Sequence, residues 1–77
     1  SELLKKAIED ARDADIIFIA AAGNDRMNND SRPTYPANYE VDNIVSVAAI
    51  GNQGTLASFS NFGARTVHVA APGLNIL

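Results

Sequence analysis

Ile16-Ile17-Phe18-Ile19-Ala20-Ala21-Ala22-Gly23-Asn24 is an unbroken apolar run that closes in small residues, a glycine and one neutral amide. The run does not alternate polar with apolar positions. Both of its faces are therefore expected to be buried, as in a parallel sheet covered by helices. Ligand and catalytic groups of open α/β sheets collect at the carboxyl ends of the strands. The order of residues lifts a single carboxamide, that of Asn24, clear at that end. An amide donates two hydrogen bonds and stays uncharged at any working pH. It suits a site that stabilises transient negative charge.

Upstream of this run, Leu3, Leu4, Ala7, Ile8 and Ala11 recur at three- and four-residue spacing, with charged residues outside the stripe. That spacing predicts an amphipathic helix of about three turns lying on a sheet. Its acidic end, Asp10 and Asp13, opposes the helix dipole, so packing is expected to hold it. Downstream, residues 25–36 have loop composition. Ile44 to Ile50 reads as a second strand, and Gly51-Asn52-Gln53-Gly54 as a turn. Leu56 to Phe62 alternates polar and apolar residues as a short extended piece would. Val67 to Ala70 reads as a third strand stopped by Pro72-Gly73, and the chain closes on another apolar run at Leu77.

At 77 residues the chain makes one domain at most. A chain of this size buries only about 60 % of its unfolded surface and is marginal alone. Small independent folds add disulfides, a metal or a partner. Cysteine is absent, and no cluster of histidine and carboxylates reads as a structural metal site. Yet 47 % of the residues are apolar and only 6 % aromatic, the composition of a large enzyme's interior. A segment of a larger protein is the expectation. The net charge of -3, with Arg26, Arg32 and Arg65 scattered, argues against binding nucleic acid through its phosphates. The apolar runs are too short to span a bilayer, and no signal-peptide pattern opens the chain.

Five short motifs stand in register along the sequence. They are Ala20-Ala21-Ala22-Gly23-Asn24, Tyr35-Pro36-Ala37, Ile44-Val45-Ser46-Val47-Ala48-Ala49, Ala57-Ser58-Phe59-Ser60-Asn61-Phe62-Gly63 and Ala71-Pro72-Gly73. In this order and spacing they resemble the subtilisin-like serine proteases, the subtilases. The resemblance implies a three-layer α/β fold with a mainly parallel sheet. Residues 1–77 would be a partial catalytic domain with one helix and about three strands, lying between the catalytic histidine and serine motifs.

The resemblance further implies that Asn24 is the oxyanion-hole asparagine, with Gly23 letting the backbone approach the substrate. It places Ala21, Ala22 and Gly23 along one wall of the pocket for the substrate residue before the cut. Asp25 would lie at the rim and Thr34 near the base. A peptide or protein substrate and the remainder of the protease domain would be the partners. An extracellular location is implied for the parent. Family members often bind calcium, so the cation is possible in the intact protein. In this chain neither metal ligand nor cofactor is expected: Asp30, Glu40 and Asp42 match no EF-hand spacing and read as solvated loop charges.

The family's Asp-Ser/Thr-Gly, His-Gly-Thr-His and Gly-Thr-Ser motifs do not occur here; Asp30-Ser31 is followed by Arg32, and Gly54-Thr55 by Leu56. The chain alone is therefore expected to be inactive. A substitute triad of His68, Asp42 and Ser58 or Ser60 is conceivable but has no motif to orient it. The competing expectation is a small α/β binding or purely structural module. Its Gly23-Asn24 loop lacks the glycine patterns of a phosphate loop.

Overall fold

The computed structural model describes residues 1–74. The last residues of the closing apolar run, 75–77, lie outside them. Helix α1 spans Glu2–Asp13. The Ser1 hydroxyl starts it by accepting from the Leu4 amide at 3.2 Å, which satisfies one of the free amides of the first turn. At the other end Asp15 takes φ +61°. The amides of Asp15 and Ile16 turn back to the carbonyls of Arg12 and Ala11, both at 2.9 Å. This is the Schellman pattern, with aspartate where glycine is usual.

Of the apolar stripe, only Ile8 is fully buried, whereas Leu3 is 82 % exposed. At the acidic end of α1, Ala11 and Arg12 are half-buried and Asn43 Nδ2 donates to the Ile8 and Ile16 carbonyls at 3.1 and 3.0 Å. Asp10 pairs with Lys6 and Asp13 with Arg12 on the surface, and the backbone turn closes the helix. Exposed pairs of this kind contribute about 0–1 kcal/mol each.

Three strands follow: β1 Phe18–Ala21, β2 Ile44–Ile50 and β3 Val69–Pro72. They form one parallel sheet in the order β1-β2-β3, as the unbroken apolar runs predict. Phe18 pairs with Ile44 and Ala21 with Val47; Val47 in turn pairs with Val69 and Ile50 with Pro72. All carboxyl ends therefore emerge on one side.

One face of β1 and β2 is covered, whereas all four residues of β3 are exposed. Ala20 and Ile44 pack with Ile8 of α1 and with Ala37 and Val41 from the long β1–β2 connection, with Phe18 and Tyr39 closing the cluster. On the opposite side Ile17 and Ile19 are 67 % and 70 % exposed. The expectation that both faces of this run are buried is thus met on the helix side only. Two of the three expected layers occur among the described residues.

Boundaries also shift. β3 begins at Val69 and not at Val67, because the Val67 amide closes a turn onto the Gly63 carbonyl at 3.3 Å. The stretch from Leu56 to Phe62 is no strand. It forms isolated bridges, Leu56 with Ile50 and Phe62 with Asn28, and the Ala57 amide donates to the Ala49 carbonyl at 2.9 Å, but a turn at Ser58-Phe59 interrupts it. No helix among the described residues is long and apolar enough to cross a membrane.

Candidate active site

β1 ends at Ala21, and the next residues turn sharply. Ala22 is fully buried, with its amide still bonded to the Val47 carbonyl at 2.8 Å. Gly23 follows at φ +122°, a backbone conformation that side chains strongly disfavour. Asn24 comes next and is exposed. Its carboxamide makes no hydrogen bond among the described residues. The donor singled out from the sequence thus stands at the carboxyl end of a parallel strand with both N–H groups available.

Ala21, Gly23 and Asn24 line a shallow concavity of about 270 Å³ whose other wall is Val47, Ala49 and Pro72. The remaining proposed pocket residues do not line it. Ala22 points into the protein, Asp25 is exposed and Thr34 is half-buried. Thr34 nevertheless sits close to the turn, its methyl 3.4 Å from where a Cβ on Gly23 would lie. Larger hollows of about 370 and 570 Å³ lie elsewhere. The first opens at the amino ends of the strands, beside Ile44 and His68, and the second between α1 and the loops. The strand carboxyl ends, where α/β sheets gather their reactive groups, make the smaller concavity the candidate site.

Beneath the turn lies a network of buried amides that composition alone did not reveal. Asn61 and Asn29 are both 0 % exposed. The Asn61 Oδ1 accepts from the amides of Asp25 and Met27 at 2.8 and 3.1 Å. Its Nδ2 faces the Ala22 carbonyl, Asn29 Oδ1 and Thr34 Oγ1 at 3.0–3.2 Å. Asn29 Nδ2 also donates to the Ala22 carbonyl, at 2.9 Å. Asn38 extends the network, donating to the Asn29 carbonyl and accepting from the Thr34 amide. Asn61 belongs to a quoted motif, where an amide between Ser60 and Phe62 was its one visible signal. Asn29 read as ordinary loop composition.

Asp30 is not a solvated loop charge, contrary to the sequence expectation. Its side chain is 15 % exposed. It accepts from the Thr66 hydroxyl at 2.6 Å and from the amides of Arg65 and Thr66. The Thr66 hydroxyl, helped by those amides and the Arg65 guanidinium, holds the Asp30 carboxyl below its ordinary value. Glu40 and Asp42 are exposed. No group of three or more histidine, cysteine or acidic residues able to hold a metal occurs among the described residues.

The substitute triad does not assemble. His68 Nδ1 accepts from the Ser46 amide at 2.9 Å. The Ser60 hydroxyl is buried, accepting from the Ala49 amide and donating to the Asn61 carbonyl. His68 and Asp42 border the hollow at the amino ends of the strands, whereas Ser58 borders another beside Gly51 and Leu74.

Comparison with known proteins identifies the family and the fold. The profile of the subtilase family (peptidase S8) matches residues 1–77. The chain is 42 % identical over 60 residues to subtilisin-like protease 2 of Plasmodium falciparum, covering 78 % of this chain and 4 % of that protein. It is 40 % identical over 77 residues to an extracellular basic protease of Dichelobacter nodosus, covering all of this chain and 12 % of that protein. Among solved structures, it superposes on the epidermin leader peptide processing serine protease of Staphylococcus aureus with a TM-score of 0.76. That match has 34 % identity and covers 91 % of this chain and 20 % of that one. The chain spans less than a fifth of the length of these relatives. Family profile, relatives and superposed fold agree along the sequence, and the chain belongs to the subtilase family.

Proposed function

We propose that this chain is the segment of a subtilisin-like serine endopeptidase that supplies the oxyanion-hole donor and part of the substrate pocket. The observation that carries the reading is the Asn24 carboxamide, exposed and without a partner among the described residues at the end of β1. As serine attacks a scissile carbonyl, the carbonyl oxygen gains negative charge. A fixed N–H donor aimed at that oxygen is worth more in the transition state than in the ground state. The small side chain of Ala21 and the bare Gly23 leave the adjoining concavity open to a large apolar group of a peptide or protein substrate. Asp25, exposed beside the turn, would disfavour acidic residues there.

Nucleophile and general base would come from the remainder of the protease domain, in cis or as other chains, so the 77-residue chain alone would not turn over peptides. The name of the Dichelobacter relative includes the word extracellular, and the same location is proposed for the parent. Calcium in the intact protein stays a proposal carried by the resemblance alone.

The test is Asn24→Leu in the intact protein that carries this segment. It removes the donor while keeping similar volume. The turnover number should fall about 10²–10³-fold with KM little changed. That figure comes from a subtilisin, so it is the family's own magnitude and not one worked out from this geometry. An unaltered turnover number would end the oxyanion reading.

A further inference from the structure

Asn24 has two adjoining peptide units, and one residue holds both. The first runs from the Gly23 carbonyl to the Asn24 amide. The Gly23 oxygen accepts from the Asn61 main-chain amide at 2.8 Å. The second runs from the Asn24 carbonyl to the Asp25 amide. The Asp25 N–H donates to the Asn61 side-chain oxygen at 2.8 Å. Orientation of these two planes sets φ and ψ at Asn24, and with them the direction in which its side chain leaves the backbone. Asn61 also donates to the Ala22 carbonyl one residue earlier and accepts from the Met27 amide two residues beyond Asp25. It bonds to residues on both sides of Asn24 and leaves the Asn24 carboxamide itself untouched.

We propose that Asn61 is the positioning residue of Asn24, fixing the aim of the carboxamide without touching substrate. The proposal rests on the oxyanion reading of Asn24 given above. The chemistry requires asparagine at this place. Its oxygen meets two N–H donors while its nitrogen meets only acceptors: a carbonyl, the Asn29 oxygen and the Thr34 hydroxyl. Aspartate would set an oxygen against those acceptors and bury a charge. Alanine would strand the Asp25 and Met27 amides. Serine keeps the main-chain bond to the Gly23 carbonyl, but its hydroxyl is too short to take the place of the amide oxygen that receives the Asp25 and Met27 amides, so the second plane is released. The bare Gly23 completes the fit, since a Cβ there would lie 2.5 Å from the Asn61 nitrogen.

A donor displaced by about 1 Å from its working position loses on the order of 10²-fold in rate. Such a displacement weakens the transition-state contact and leaves ground-state binding almost alone. A residue that only stabilises the fold changes the number of active molecules and not the turnover of each.

The experiment uses the intact protein, with active molecules counted by a covalent titrant of the catalytic serine, so that turnover is expressed per folded site. Asn61→Ser should lower that turnover by about 10–100-fold with KM changed less than about threefold. In the Asn24→Leu background the same substitution should have no further effect on turnover, because the group it aims is gone. Asp30→Asn, which loosens the neighbouring loop away from the turn, should leave turnover per site unchanged. An equal further loss in the Asn24→Leu background overturns the proposal, as does full turnover per site in Asn61→Ser. If Asn24→Leu is itself fully active, the oxyanion reading fails first, which is a different result. Amide exchange on the unsubstituted protein provides a check independent of any variant's folding. The Asp25 and Met27 amides should be protected although Asp25 is exposed, and free exchange at both refutes the clamp.

Discussion

Replacing Gly23 by alanine adds one methyl group to the turn that carries Asn24, and two costs follow from the structure. Gly23 sits at φ +122°, where a residue with a Cβ is strained by about 1–3 kcal/mol. The new Cβ would also lie 2.5 Å from Asn61 Nδ2, which must retreat by about 0.5–0.9 Å to reach a tolerable separation. The bonds of that nitrogen to the Ala22 carbonyl and Thr34 hydroxyl are already 3.2 Å long, so they break. The Ala22 carbonyl keeps its bond from Asn29 at 2.9 Å, so no buried acceptor is orphaned and the loss stays near 1 kcal/mol. The total is about 2–4 kcal/mol, a large share of the 5–15 kcal/mol that holds a typical domain together. Urea denaturation of the intact, inhibited protein measures it. The unfolding free energy should fall by that amount, read as a lower urea midpoint at unchanged m-value. In an Asn61→Ser background the contact is gone and only the backbone strain remains, so the same alanine should cost less. A midpoint unmoved by Gly23→Ala in either background refutes the reasoning.

Acid should loosen the protein through Asp30. The Asp30 carboxyl titrates below the ordinary value of 3.8 because of the Thr66 hydroxyl, the flanking amides and Arg65. Its stabilisation is therefore fully present above that value and is lost as pH falls through the folded one. The urea midpoint should drop below about pH 4 and Asp30→Asn should flatten that limb; an identical acid limb in both proteins refutes it. Asp15→Gly relieves the left-handed residue at the end of α1 and should stabilise by about 0.5–1 kcal/mol, read as a higher melting temperature; a lower one would show that the aspartate makes a contribution of its own. Peptides with lysine before the scissile bond should be cleaved faster than those with glutamate, and Asp25→Asn should narrow the gap; equal rates remove Asp25 from the pocket rim.

The architecture was legible where it depends on local periodicity. The unbroken runs around Phe18 and Ile44 are parallel strands, and the position of Asn24 at the end of β1 follows from its place after such a run. What escaped depends on partners distant in sequence. Ile17 and Ile19 are as apolar as any core residue, yet burial belongs to whatever layer lies on them, and none does among the described residues. Val67 has the composition of a strand, but its amide is claimed by a turn from Gly63. Asn29 and Asn61 have loop composition and are fully buried, because Asn61 reaches back 39 residues to the Ala22 carbonyl and 32 to the side chain of Asn29. No periodicity marks such residues. Asp30 was misjudged for the same reason, its partners lying 35 and 36 positions downstream.

The tie between Asn61 and the amide of Asp25 spans 36 residues, and this sets an order of events during synthesis. As the chain leaves the ribosome, α1 and β1 are present long before residue 61 is made. Until then the segment after Ala21 has neither its oxygen acceptor nor its nitrogen donor, and can wander. Local helix forms early and contacts between distant positions close late. The turn after β1 therefore takes its final shape only after residue 61 has been made, well after the helix and strand that lead into it.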